Sequence, residues 1–240
     1  MRLEANYMNV ASTKLHGSAR LSFDTFRSSF GTNPNVVFDI GACVGLYSLH
    51  IANMSKDLKV YSFEPVKESF NIFEKNIKLN DIENIIPINK GLYSENTQLN
   101  LSLPRPGTLP DRVLQSDGLP GLGRYSVFGD DNLKLDTADK NFLASWHESV
   151  KPVLADFTTI DTISKEYDLL GADIIKMDCE GSEEIILKSS PNFFKKSKIL
   201  YVEHHPEFDP DDRISTIIEN YGFEGRAVGI DRIWINRGNK

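Results

Sequence analysis

One segment near the start of the chain restricts the fold most, because in it an apolar strand leads through a glycine turn into a helix. The strand is Val36–Ile40, Gly41 and Gly45 supply the turn, and a helical stretch follows from Leu46. This order brings backbone N–H groups and the positive end of a helix up to a ligand. Nineteen residues after Gly45, Glu64 follows the next apolar strand, as in one βαβ unit. An acid there typically binds two ribose hydroxyls, so the sequence predicts a site for a nucleoside-bearing cofactor.

The details of the turn distinguish between kinds of nucleoside cofactor. A dinucleotide fingerprint that begins at Gly41 would need glycines where the chain has Cys43 and Leu46. Those glycines allow a pyrophosphate to approach the backbone, so their absence disfavours an NAD-dependent oxidoreductase. The pattern Asp39-x-Gly41-x-Cys43-x-Gly45 resembles instead the first motif of class I S-adenosylmethionine (SAM) methyltransferases. Because so short a pattern also arises by chance, an ordinary glycine turn in another α/β protein stays open at this point.

A second group of polar residues follows a buried strand in the second half of the chain. The strand is Ala172–Met177, and Asp178 and Glu180 come directly after it. Acids at the carboxyl end of a strand lie where open α/β sheets bind ligands. A simpler alternative is that the glutamates here only complement the dipole of the next helix. We favour that alternative for Glu184 and leave it open for Glu183.

A distinctive motif spans the end of this strand and the loop after it: Lys176-x-Asp178-x-Glu180-Gly181-x-Glu183. Together with the glycine turn and Glu64-Pro65, the motif resembles the FkbM family of methyltransferases over roughly residues 35–205. The family usually has Asn where this chain has Cys43. That difference removes one side-chain hydrogen bond near the cofactor or replaces it with a backbone one.

The resemblance implies the class I methyltransferase fold. This is a Rossmann-like α/β architecture with a mostly parallel sheet, helices on both faces and a C-terminal antiparallel hairpin. It also implies SAM as the cofactor and O-methylation of a hydroxyl, commonly on a sugar, a glycolipid or a related metabolite. The residues implied in cofactor binding belong to the turn and to the end of the second strand: Asp39, Gly41, Ala42, Cys43, Gly45 and Glu64.

A hydroxyl acceptor must lose its proton, either to a general base or to a metal ion that lowers its pKa. Asp178 is our first candidate for the base, and Glu180 and His204 are further catalytic candidates. The family's later Glu-x-His segment appears here as Glu203-His204-His205, so the equivalent histidine stays open. Asp178 with Glu203 or His204 could also hold Mg²⁺ in an oxygen-rich site. The alternative is that these carboxylates only orient loops.

Alternating strands and helices predict one α/β domain over residues 1–240, with an N-terminal extension over 1–34, and the resemblance implies that this is the methyltransferase domain. Residues 104–152 form an insertion rich in proline, glycine, arginine and aromatic residues, which favours a substrate-binding cap above the sheet over an insertion without a role in binding. The predicted strands cover 36–40, 59–63, 85–89, 173–177 and 199–203, with a hairpin over 223–228 and 232–236. The first two predicted helices cover about 46–54 and 67–79.

Charge and composition limit the partners and the compartment. The net charge of −7 disfavours a groove that follows a nucleic-acid backbone, so we expect a small-molecule or glycan acceptor. No stretch reaches the roughly 18 apolar residues of a membrane helix, and residues 1–19 lack a secretory leader pattern. Both cysteines fall inside motifs, which favours reduced thiols and a cytoplasmic enzyme. Two alternatives remain: a SAM-binding module without turnover, and a methyltransferase that acts on protein or RNA.

Overall fold

The computed structural model describes residues 34–104, 150–179, 181–204, 209–228 and 231–238. Almost all of the predicted N-terminal extension and most of the predicted cap therefore lie outside the described residues. The catalytic candidate Glu180, and His205, the alternative to His204, also lie outside them. None of the helices within the described ranges is long and apolar enough to cross a membrane.

Ten strands and six helices make up the described part of the chain. In chain order the strands are β1 (Val36–Ile40), β2 (Lys59–Phe63), β3 (Ile85–Ile88), β4 (Gly91–Leu92), β5 (Thr97–Pro104), β6 (Val150–Thr158), β7 (Ile174–Met177), β8 (Ile199–Glu203), β9 (Phe223–Val228) and β10 (Asp231–Asn236). The helices are α1 (Leu46–Ala52), α2 (Lys67–Leu79), α3 (Ile160–Tyr167), α4 (Glu183–Ser189), α5 (Pro191–Lys196) and α6 (Arg213–Asn220).

A seven-stranded sheet forms the centre of the fold, in the order β3-β2-β1-β7-β8-β10-β9. The first five strands in this order, β3, β2, β1, β7 and β8, are parallel to one another. Strand β10 runs antiparallel to both of its neighbours, β8 and β9. Because parallel strands share a direction, the ends of β1, β2, β7 and β8 lie at one edge, which we call the carboxyl edge. This arrangement confirms the predicted α/β fold with its C-terminal antiparallel hairpin.

Each face of the sheet packs against its own layer of helices, because successive side chains of a strand point to opposite faces. The face toward α1 and α2 buries one cluster of apolar residues, which includes Val37, Val60, Ile174, Leu49, Ile51 and Phe73. The opposite face packs against α3, α4, α5 and α6 and includes Phe38, Tyr61, Ile175, Ile163, Leu187, Phe194 and Ile218. The apolar side of α2 packs against this face, since Phe70 and Phe73, three residues apart on the helix, are buried in the first cluster.

A second, three-stranded sheet consists of β4, β6 and β5 and was not predicted. Its strands β5 and β6 pair antiparallel from Thr97 opposite Phe157 to Pro104 opposite Val150. Both ends of the predicted cap, residue 104 and residues 150–152, are therefore strand residues. The alternating pattern of Gln98–Leu103 is a strand signal that the sequence interpretation passed over.

Candidate active site

The glycine turn after β1 lies at the carboxyl edge and is held by β2. The backbone N–H groups of Gly41 and Ala42 both donate to the carbonyl oxygen of Phe63, at 3.1 and 2.9 Å. Gly41 has a φ of +81°, and a Cβ atom there would lie 2.0 Å from the backbone oxygen of Asp178. Only glycine therefore allows the turn to approach the loop that carries the proposed base.

Helix α2 supports the same turn from its other side. Gly45 has a φ of +89°, and a Cβ atom there would lie 2.0 Å from the ring of Phe73. The side-chain amide of Asn76, which is fully buried, donates to the carbonyl oxygen of Val44 at 3.0 Å. The turn is thus packed between β2, α2 and the loop after β7, which gives it one defined shape.

Glu64 links the end of β2 to the turn. Its carboxylate accepts the N–H of Cys43 at 2.9 Å on one oxygen and the N–H of Val66 at 2.8 Å on the other. Burial raises the pKa of Glu64 to about 7, although these two donors and Lys176 partly offset the effect. Each carboxylate oxygen can accept a second hydrogen bond, so the group retains capacity for two ligand hydroxyls. Asn89, just past β3, donates to the backbone oxygen of Glu64 at 2.8 Å.

Cys43 stands in the turn with a φ of +51°. Burial raises the pKa of its thiol, and the neighbouring carboxylate of Glu64 raises it further. The thiol is therefore neutral and poorly nucleophilic. Its backbone N–H donates to the carboxylate of Glu64.

Asp39 lies beneath the turn and has no exposed surface. Its carboxylate accepts a hydrogen bond of 2.5 Å from the hydroxyl of Ser48 on α1, which is also 2.7 Å from the hydroxyl of Ser62. Its other oxygen lies 3.3 Å from the ammonium of Lys176. Ser62, Asp39 and Lys176 are register partners on β2, β1 and β7, so one polar row crosses the sheet under the turn.

Lys176 is the cation of this row and is almost completely buried. Its ammonium donates to the carbonyl oxygen of Gly41 at 2.9 Å and lies 3.5 Å from the carboxylate of Asp178. It also lies 5.0 Å from the centre of the Tyr47 ring. Burial by itself would lower the pKa of Lys176, but the carboxylates of Asp39 and Asp178 outweigh it and raise the pKa. Lys176 is therefore charged throughout the accessible pH range.

The loop after β7 is shaped by a carboxylate of its own. Asp178 donates its backbone N–H to Ile40 at 3.1 Å, and its side chain is 27% exposed at the carboxyl edge. Glu183 is buried and accepts the N–H of Cys179 at 2.7 Å and that of Gly181 at 2.9 Å. Glu183 thus holds the loop closed and is more than a residue that complements the helix dipole.

Two further acids lie at the same edge. Glu203, the last residue of β8, is the register partner of Asp231, the first residue of β10. Burial raises the pKa of Tyr47; Lys176 lowers it in part, and the carboxylates of Asp178, Asp231 and Glu203 raise it again. The phenol of Tyr47 therefore lies within the field of three carboxylates from three neighbouring strands.

His204 lies in a different group of polar residues, between α6 and the hairpin. Its Nδ1 is 3.2 Å from a guanidinium nitrogen of Arg232, and its Nε2 is 3.3 Å from the backbone oxygen of Asp209. Because Arg can only donate, Nδ1 accepts and Nε2 carries the proton. Both ring nitrogens are therefore engaged within this group.

Within the described ranges, one group of three residues has ligand atoms close enough to hold a metal ion: His204, Asp209 and Asp212. It contains neither Asp178 nor Glu203, which the sequence suggested for Mg²⁺. Arg232 donates to Asp212 as well as to His204, so a guanidinium already offsets part of the negative charge of the group. Asp209 in turn accepts the N–H groups of Arg213 and Ile214 at the start of α6. The group thus joins a helix to the hairpin.

Comparison with known proteins identifies the family. The model of the methyltransferase FkbM domain matches residues 39–224. This chain belongs to the FkbM methyltransferase family. As a member of it, the chain is a SAM-dependent methyltransferase, and its strand order is that of the class I fold. The glycine turn, Glu64 and the loop after β7 all fall within the matched residues.

Individual relatives of this FkbM methyltransferase are distant. Methyltransferase sdnD of Sordaria araneosa is 24% identical over 213 residues, which are 80% of this chain and 74% of the relative. A putative O-methyltransferase from Klebsiella pneumoniae has 9% identity and a TM-score of 0.49, covering 96% of this chain and 87% of the other. The precorrin-6y C5,15-methyltransferase of Geobacter metallireducens has 12% identity and a TM-score of 0.47, covering 93% and 89%.

Sequence reasoning did not assign roles to several residues that shape the site. In the sequence, Lys176 stands out only as part of the motif at the end of its strand. A lysine inside a buried strand must nevertheless find charged or polar partners. Asn76 and Asn89 had no signal beyond being polar residues on, or next to, predicted elements. Their contacts with Val44 and Glu64 depend on how α2 and β3 pack, which no local pattern contains.

Proposed function

We propose that this methyltransferase methylates a hydroxyl oxygen of a neutral, hydroxyl-rich acceptor such as a sugar or a glycolipid. The observation that carries the proposal is the position of Asp178. Its backbone packs directly against Gly41 of the turn, while its carboxylate is partly exposed at the carboxyl edge. A carboxylate there can accept the proton of a hydroxyl acceptor held next to the cofactor.

The residues of the turn fit the cofactor that the family implies. We assign SAM binding to Asp39, Gly41, Ala42, Cys43, Gly45 and Glu64. Gly41 and Gly45 allow the turn to pack against Asp178 and Phe73, and each oxygen of Glu64 can accept one further hydrogen bond, from a ribose hydroxyl. Asp39 acts from below, through Ser48 and Lys176, since it has no exposed surface. When bound, SAM supplies an activated methyl group on a sulfonium.

The chain's own residues have two tasks in such a transfer: to orient the acceptor and to take up its proton. We assign the proton to the carboxylate of Asp178, which Lys176 orients from 3.5 Å away. Glu180 is a second candidate in the same loop. We propose that His204 acts by holding β8 against α6 and the hairpin, because both of its ring nitrogens are engaged.

The charge of the described carboxyl edge favours a neutral acceptor. The carboxylates of Asp178, Glu203 and Asp231 each raise the pKa of the Tyr47 phenol, and the nearby cation, Lys176, is buried beneath the turn. A hydroxyl group can donate to the partly exposed carboxylate of Asp178, whereas a phosphate or a nucleic-acid backbone would be repelled by the three negative charges. Mg²⁺ at Asp178 and Glu203 stays a prediction of the sequence, to be tested by adding the ion during turnover.

The first experiment is calorimetric titration of the wild-type chain with SAM, with its demethylated product and with NAD⁺. Micromolar binding of the first two, without binding of NAD⁺, is the expected result. An acceptor screen that begins with glycosides follows, with Asp178→Asn as the matched control. That variant should keep its SAM affinity within about 3-fold and lose turnover by about 100-fold or more.

Other outcomes would select other functions. Absence of SAM binding by the folded protein would contradict the proposal at its first step. SAM binding without turnover on any hydroxyl, amine or nucleic-acid acceptor would instead favour a binding module. Equal turnover by wild type and Asp178→Asn would remove Asp178 from the mechanism while leaving the cofactor site in place.

A further inference from the structure

Lys176 contacts both the glycine turn and the carboxylate of Asp178, although it is itself almost completely buried. We propose that Lys176 is a positioning residue: its ammonium holds the Gly41–Ala42 peptide in the orientation that SAM binding requires, and it also places the Asp178 carboxylate. The inference rests on the proposed cofactor site. It concerns a residue to which sequence analysis gave no role.

The Gly41–Ala42 peptide is bound at both ends by neighbouring strands. Its N–H donates to the carbonyl oxygen of Phe63 on β2 at 2.9 Å, and its carbonyl oxygen accepts the ammonium of Lys176 on β7 at 2.9 Å. Because glycine has no Cβ, Gly41 can adopt its φ of +81° and other backbone states that most residues avoid. The two hydrogen bonds therefore select one orientation of the peptide among several that glycine allows.

The same ammonium also orients the neighbouring loop. It lies 3.5 Å from the carboxylate of Asp178, and the backbone oxygen of Asp178 occupies the space where a Cβ of residue 41 would lie. A shift of Lys176 would thus be transmitted to both the turn and Asp178. The ring of Tyr47, 5.0 Å from the ammonium, limits the directions in which the lysine can move.

Because Lys176 is buried, a variant that lacks it can be unstable, and a test of its role must separate stability from SAM binding. Lys176 and Asp39 are both almost completely buried, so removal of the lysine alone leaves a buried carboxylate with less compensation. Such a variant can lose SAM binding simply because it is unstable. Asp39→Asn removes that charge, and its amide oxygen can still accept from the hydroxyl of Ser48.

The decisive comparison is between Asp39→Asn and the double variant Asp39→Asn/Lys176→Met, which differ only at position 176. Methionine has an unbranched apolar side chain one atom shorter than that of lysine, and it cannot donate a hydrogen bond. Calorimetry with SAM and with its demethylated product measures the cofactor site, and thermal unfolding measures stability. The carbonyl ¹³C resonance of Gly41 reports the hydrogen bond itself, with no ligand present.

We expect the double variant to be at least as stable as Lys176→Met and to bind SAM about 10-fold or more weakly than Asp39→Asn. The Gly41 carbonyl resonance should move in both Lys176→Met proteins and stay near its wild-type position in Asp39→Asn. Equal SAM affinity of Asp39→Asn and the double variant would overturn the inference. An unshifted Gly41 resonance would do the same. If the wild-type chain fails to bind SAM, the proposed function itself is wrong, and this inference is lost with it.

Discussion

At the scale of single residues, the unusual feature of the site is a buried carboxyl group that titrates near neutrality. Burial raises the pKa of Glu64 to about 7, against two backbone donors that favour its charged form. Ribose hydroxyls donate to a carboxylate more strongly than to the neutral acid. SAM binding should therefore depend on the ionised form of Glu64, and affinity should fall as the pH falls through about 7.

The expected change is about 10-fold weaker SAM binding at about pH 6 than at about pH 8, because roughly one tenth of a group with this pKa is ionised at the lower pH. Calorimetric titration across that range measures it. The amino group of SAM also titrates near the upper end of the range, so Glu64→Gln serves as the control. The glutamine variant should bind more weakly but lack the Glu64 step. An identical pH profile in both proteins would contradict the assignment of Glu64.

A second residue-scale prediction separates backbone strain from steric contact. Gly41 and Gly222 both have positive φ, +81° and +93° respectively. A Cβ at Gly41 would collide with the backbone of Asp178, whereas the atom nearest to a Cβ at Gly222 is 4.0 Å away. Gly222→Ala should cost about 1–2 kcal/mol for the left-handed conformation alone. Gly41→Ala should cost about 2–5 kcal/mol and also weaken SAM binding. Denaturant unfolding and calorimetry measure the two effects, and similar losses in both variants would show that the contact with Asp178 is unimportant.

At the scale of elements, the loop between β7 and α4 depends on the first residue of the helix. The carboxylate of Glu183 reaches back to two N–H groups of the loop, at 2.7 and 2.9 Å. Ser182 occupies the N-cap position but makes no hydrogen bond with its side chain there. Glu184, the residue after Glu183, pairs instead with Lys188 and Arg213 on the surface. Two adjacent glutamates thus have different tasks.

The matched pair Glu183→Gln and Glu184→Gln tests this difference. Glutamine at 183 can accept only one of the two loop N–H groups, so we expect a loss of about 1–3 kcal/mol in the free energy of unfolding. At 184 only exposed ion pairs are lost, which should cost at most about 1 kcal/mol. Denaturant melts of both variants measure the difference. Losses of equal size would show that Glu183 acts only through the helix dipole.

Helix α2 has a comparable task on the other side of the site. Its apolar residues Phe70 and Phe73 were predictable from helical spacing, and they do pack against the sheet. Phe73 additionally fills the space beside Gly45, and Asn76 bonds to Val44 one turn along the helix. The same face of α2 therefore both buries apolar surface and braces the glycine turn.

At the scale of the whole molecule, strand order decides which motifs meet. β1 lies between β2 and β7, so Glu64 approaches the turn from one side and Asp178 from the other. Polar residues at matching register positions then form a continuous row, in which Ser62, Asp39 and Lys176 support the turn from below. Asp178 after β7, Glu203 at the end of β8 and Asp231 at the start of β10 place three carboxylates along one side of the carboxyl edge.

Most strands, the helix α2 and the main motifs could be predicted from the sequence, because apolar periodicity and glycine turns are local properties. The strands 36–40, 59–63 and 199–203 are confirmed to the residue, and the third strand ends one residue early, before Asn89. The β5–β6 pair was missed because its two strands are far apart in sequence and flank the insertion. The sequence could not decide the role of Glu183, because the distance from its carboxylate to the loop backbone depends on how the loop closes.

By itself the sequence determined the α/β class, the glycine turn, the acid at the end of β2 and the family to which the chain belongs. These follow from short patterns whose geometry is encoded in neighbouring residues. Only the tertiary structure decided that Lys176 bonds to Gly41, 135 positions earlier in the chain, and that Asn76 bonds to Val44. Such contacts depend on strand register and helix packing, which follow from burial of the entire core.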